Sequence, residues 1–152
     1  MFFSFFRIVI FFLISSCSIF QYEIPLERLS IYVDKNANNK APVALDLVIV
    51  CDENLGKEIG SLTAAQYFEK KNELITANAD NIMVWHWEVV PGQQLKNVNI
   101  KFEEFNPVCG YVFASYASEK MNRIKLPSAE EIKIILKKSE FQVTIVKTEV
   151  SE

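Results

Sequence analysis

A chain of 152 residues with a formal charge of −3 and 50% hydrophobic residues is one domain plus whatever targeting segment it carries. Sixteen Lys and Arg against 19 Asp and Glu leave no cationic excess to neutralise a phosphate backbone, which excludes a general nucleic-acid binder. One histidine and three cysteines cannot build a His₃ or Cys₂His₂ metal centre, and four glycines with five prolines are too few for low-complexity or collagenous sequence.

Residues 1–20 read MFFSFFRIVIFFLISSCSIF, an apolar run whose single charge is Arg7. The 13 residues from Ile8 to Phe20 reach about 20 Å as a helix, short of a hydrocarbon core of roughly 30 Å. Starting the span at Met1 would bury Arg7, at a cost of about 2.5 kcal/mol or more. A basic residue, an apolar stretch and then small residues fit a secretory signal instead. The run Leu13-Ile14-Ser15-Ser16-Cys17 resembles the lipobox of bacterial lipoproteins, in which the cysteine becomes the acylated first residue. Ile14 stands where that pattern prefers Leu. In Gram-negative lipoproteins a residue other than aspartate after the cysteine, here Ser18, implies sorting to the outer membrane. Each buried CH₂ contributes about 0.8 kcal/mol, so several acyl chains give effectively permanent anchoring. The chain therefore divides into a signal peptide over 1–16, a lipidated tether over 17–28 and a domain over 29–152. Losing Arg7 leaves the mature chain at a net charge of −4, and its core is large enough to fold without metal or disulfide support.

Leu29–Val33 reads as a first strand, and residues 34–42 (DKNANNKAP) as a polar, Asn-rich loop ending in Pro. Val43–Cys51 is apolar except for Asp46, the profile of a strand buried on both faces. Thr63 and Gln66 match a capping box that opens a helix over 63–77, with Ala64, Ala65, Phe68, Leu74 and Ile75 as its apolar stripe. Ile82–Val90 alternates as a strand, with Met83, Trp85, Trp87 and Val89 on one face, and Pro91-Gly92 predicts a type II turn. Asn97–Phe102 and Val108–Tyr116 are further strands. Ile132–Leu136 and Phe141–Val146 form a closing hairpin, against a rival helix over 129–138 opened by Ser128 and Glu131. The sum is about seven strands and one helix, a β-sandwich.

Chemistry-bearing residues are sparse. His86 and Glu88 share a strand face and could pair as a base and an orienting carboxylate, but no nucleophile lies in sequence reach. A partly solvated strand histidine is the simpler reading. Trp85 and Trp87 could stack a sugar or base, yet their apolar phase assigns them to the core. Asp46 and Asp52 suggest a cation site, but the phase of Asp46, opposite to Leu45 and Leu47, is explained by an edge or surface position. No phosphate-cradling glycine loop, nucleophile elbow or zinc spacing is present, so neither enzyme activity, metal nor cofactor is expected. Export to an oxidising compartment permits a disulfide between Cys51 and Cys109, and two buried thiols fit equally well.

The order of these features resembles a known family. A lipobox at Cys17 precedes a first strand, a polar loop, the run from Ala41-Pro42-Val43 to Val48, an insert with residues 63–68 (TAAQYF), and Val89-Val90-Pro91-Gly92-Gln93. Over Leu29 to Tyr116 this is similar to the outer-membrane lipoprotein of type VI secretion systems, the TssJ (SciN) family. The resemblance implies a transthyretin-like β-sandwich with a small inserted helix. It also implies that the chain anchors an envelope-spanning complex by binding the periplasmic domain of an inner-membrane TssM-like protein. The loop contributing to that contact corresponds to Asp34, Lys35, Asn36, Ala37, Asn38, Asn39, Lys40 and Ala41. The loop is Asn-rich where many members carry Gly or Arg before the Pro. The alternative is a periplasmic lipoprotein that holds a small ligand or peptide between its sheets.

Overall fold

The computed structural model describes residues 24–102, 105–118 and 122–147. Cys17 and the signal segment lie outside these residues. Among the described residues eight strands are formed: β1 (Arg28–Val33), β2 (Val43–Val50), β3 (Ile82–Val89), β4 (Gln94–Asn99), β5 (Cys109–Ala114), β6 (Arg123–Lys125), β7 (Glu131–Leu136) and β8 (Phe141–Ile145). Two helices, α1 (Glu53–Ile59) and α2 (Ala64–Ala77), fill the β2–β3 connection. One sheet runs β4-β1-β7-β8 and the other β3-β2-β5-β6. All neighbouring strands are antiparallel except β1 and β7.

The sandwich follows from strand periodicity. Leu29, Ile31 and Val33 from β1 and Ile132, Ile134 and Leu136 from β7 meet Leu45, Leu47 and Ile49 from β2 and Val112 and Ala114 from β5 in one core. Fully burying each of these Leu, Ile and Val side chains contributes about 1.5–3 kcal/mol. The second sheet has a further layer on its outer face. There Val48, Val50, Tyr111 and Phe113 pack against Leu55, Ile59, Ala64, Tyr67 and Leu74 of the helices. Buried on both faces, β2 and β5 lose the alternation that β7 keeps, as the near-continuous apolar run of β2 requires.

The expected elements largely form. Helix α2 opens on the capping box, with Thr63 Oγ1 accepting from Gln66 N at 3.2 Å and Gln66 Oε1 accepting from Thr63 N at 2.9 Å. Gly92 takes φ +83 and Gln93 N donates to Val90 O, as a type II turn demands. The segment 129–138 forms β7 rather than a helix, because pairing with β1 and β8 outweighs its local capping signal.

Differences have physical causes. Helix α1 was not anticipated; Asp52 caps it, accepting from Leu55 N at 2.7 Å, which assigns that carboxylate to a helix start and not to a cation site. Strand β4 begins at Gln94, earlier than expected, because a bulge against β1 places Asn97 at φ +53, with Asn97 N donating to Ser30 Oγ. Strand β6 is too short to give a periodic signal. Ile24 and Leu26, within the segment read as tether, are buried in the intersheet core.

Candidate functional site

The loop after β1 is held from beneath. Ala37 N donates to Asp34 O, Asn38 N to Lys137 O and Ala41 N to Asn38 O, which tightens the segment Ala37–Lys40 into a compact turn. Asn38, Asn39 and Lys40 all take positive φ, at 45°, 53° and 69°. Asn tolerates this left-handed region because its short amide bonds locally, whereas lysine is strained there. Asn38 supplies the lock: its amide nitrogen donates to Pro42 O at 2.9 Å and its amide oxygen accepts from Ala117 N at 2.9 Å.

This geometry sorts the eight loop residues. Ala37 and Asn38 are buried and serve the scaffold, and Ala41 is half-buried. Asp34, Lys35, Asn36, Asn39 and Lys40 are exposed. Beside them the β7–β8 turn contributes Lys138, so that Asn36, Asn39, Lys40 and Lys138 line an open hollow of about 340 Å³. Lys138 was missed from sequence because it lies about a hundred residues away and joins the loop only through the β1–β7 pairing.

A second cluster forms where α2 crosses the outer face of β2. Asp46 is fully buried, which corrects the expected edge or surface position: its phase does point away from the sandwich core, but α2 covers that face. Its carboxylate accepts from Tyr67 Oη at 2.8 Å, pairs with Lys71 Nζ at 2.7 Å and contacts His86 Nδ1. The direct register of Asp46 with His86 brings the histidine there, and His86 Nε2 lies 3.5 Å from Glu88 Oε1. Burial, reinforced by Asp46, pushes the Tyr67 hydroxyl well above its usual range, so it stays protonated and donates. With three partners the carboxylate is satisfied, and Tyr67, stacked on Phe113 at 4.1 Å, is part of the packing. The cluster ties α2 to the sheet. Trp85 and Trp87 are half-buried against the core, Trp85 meeting Phe102 edge-on at 5.8 Å.

Cys51 and Cys109 are both thiols, close to each other at the end of the β2–β5 ladder, where Cys109 pairs with Val50. Burial pushes both thiols up, which disfavours the nucleophilic thiolate. Among the described residues no group of three or more His, Cys, Asp or Glu is placed to hold a metal ion, and no helix is long and apolar enough to cross a membrane.

No family model and no curated protein matches the sequence. Solved structures do. The chain is similar to the type VI secretion lipoprotein TssJ1 of Pseudomonas aeruginosa, with a TM-score of 0.59 and 15% identity over 82% of this chain and 99% of that one. It is also similar to Lip of Serratia marcescens, a membrane-bound component of the type VI secretion system, with a TM-score of 0.53 and 16% identity over 80% and 99%. A chain of a type VI membrane complex gives 0.56 and 16% over 78% and 98%. Nearly the whole of each neighbour is covered, so the chain has the fold of the type VI secretion lipoproteins of the TssJ type.

Proposed function

We propose that this chain is a TssJ-like lipoprotein of a type VI secretion membrane complex. Acyl chains on Cys17 would hold it in the outer membrane, and the loop 34–41 would bind the periplasmic domain of an inner-membrane TssM-like protein. The observation that carries the reading is a fold that takes in nearly the whole of three type VI chains, in a sequence whose residues 13–17 resemble a lipobox. The loop supports it physically. It is polar, it stands on a sandwich, and it exposes hydrogen-bonding side chains on a backbone that the fold already holds in place. A small ligand between the sheets would have to displace Leu29, Ile31, Leu45 and Leu47, all packed there without exposure.

The test is performed in the producing bacterium. Metabolic labelling with an alkyne fatty acid should modify the wild type and not Cys17→Ala. Affinity capture from solubilised envelopes should recover a large inner-membrane protein with the wild type. Absence of acylation, or capture of no inner-membrane partner, would reject the proposal.

A further inference from the structure

We propose that the hollow between the first loop and the β7–β8 turn receives a carboxylate of the partner, carried on an acidic peptide segment; this rests on the loop being the partner contact. The hollow is lined by Asn36, Asn39, Lys40 and Lys138, which offer two ammonium groups and two amides and no carboxylate. Among the described residues neither lysine is engaged in an ion pair. The surrounding segments, 34–41 and 137–140, carry Lys35, Lys40, Lys137 and Lys138 against Asp34 and Glu140, a local excess of positive charge on a chain whose net charge is −3.

The two local carboxylates, Asp34 and Glu140, do not line the hollow. Behind it, burial pushes the Tyr116 hydroxyl up, so it stays protonated. That hydroxyl in turn donates to Lys137 O at 3.0 Å and Glu140 O at 2.8 Å, pinning the turn that carries Lys138. On the other wall, Lys40 is kept in a left-handed conformation that Asn38 enforces from below. Strain of this kind persists only where the surroundings over-determine it, and it concentrates at ligand clamps. Both walls are therefore fixed before binding, and ammonium with amide donors is the chemistry that recognises a carboxylate.

The experiment measures affinity of the purified chain for the periplasmic domain of the TssM-like protein across a salt series. Lys40→Gln with Lys138→Gln is compared with the wild type after thermal melts confirm that both fold, and Lys138→Gln alone serves as the variant with least backbone risk. The double variant should bind about ten-fold more weakly, with a flatter salt dependence. Equal affinity of wild type and double variant would overturn the carboxylate pocket while leaving the loop as a contact. A second arm titrates a short Glu-rich peptide and its Gln counterpart into labelled protein by NMR. Shifts confined to Asn36, Asn39, Lys40 and Lys138 with the Glu peptide alone would support the pocket even if the periplasmic domain fails to bind, an outcome that rejects the functional reading instead. Binding of neither probe overturns both. Lysine-dependent sedimentation with phosphatidylglycerol vesicles, with unchanged domain affinity, would overturn the peptide assignment in favour of a lipid surface.

Discussion

Asp46 is the residue on which the helical layer depends. A buried carboxylate is tolerated only when its charge and lone pairs are met, and here Tyr67, Lys71 and His86 meet them. Asp46→Ala leaves the buried Tyr67 hydroxyl without its acceptor and should cost about 1–3 kcal/mol, read by urea denaturation. Tyr67→Phe keeps the stack on Phe113 and removes one charge-assisted hydrogen bond, so about 1.5–3 kcal/mol is expected. The tyrosine also sets a pH dependence. Its folded pKa is raised above the unfolded value near 10, as are those of Tyr111 and Tyr116. Above that pH the unfolded chain releases protons that the native chain keeps, so stability is full below pH 10 and declines as pH rises further. Each tyrosine adds a slope of about 1.4 kcal/mol per pH unit. Alkaline denaturation of Tyr67→Phe should therefore be shallower than that of the wild type; parallel curves would refute the assignment.

Among the elements, the first loop and α1 each turn on a residue whose substitution tests their placement, Asn38 and Gly56. Asn38→Gly retains freedom at positive φ but loses both amide hydrogen bonds, whereas Asn38→Ala loses the bonds and gains strain. Thermal melts should rank wild type above Gly and Gly above Ala, with Ala lower than wild type by about 2–3 kcal/mol. Helix α1 approaches β5 so closely that a Cβ on Gly56 would sit 2.4 Å from Cys109 Sγ. Gly56→Ala should destabilise by about 1–3 kcal/mol despite the better helix propensity of alanine. Cys109→Ala removes the obstructing sulfur, and a double-mutant cycle should recover part of the loss. Additive losses would show that the contact is not the cause.

On the scale of the whole molecule, two cores share one sheet, and the chain preceding β1 contributes to the larger of them. Ile24 and Leu26 are buried among residues of both sheets. Leu26→Ala should therefore lower stability by about 2–4 kcal/mol in a denaturant titration, whereas a change in a solvated tether would leave it unaltered. The packed domain thus includes Ile24 and Leu26, ahead of β1. Glu27 and Arg28 N–H groups both donate to Glu130 O, so the chain is joined to the sheet directly ahead of β1.

Periodicity and punctuation determined much of this protein from the sequence alone. Alternation in 132–136 and 141–146, the two-sided apolar run of β2, the Thr63–Gln66 capping box and the Pro91-Gly92 turn are local signals, and each produced the element it predicts. The loop 34–41 was also legible as a loop, because Asn, Asp and Pro favour turns locally. Tertiary structure alone decided what depends on residues distant in the chain. The outward phase of Asp46 could not reveal that α2 would cover it, since strand phase describes one sheet face and not what packs upon it. Asn38 could not be told from Asn36 or Asn39, because its partners Pro42 O and Ala117 N are fixed by folding. Lys138 joins the hollow only because a parallel β1–β7 pairing sets the two turns side by side, and non-local register of that kind leaves no trace in a short sequence window.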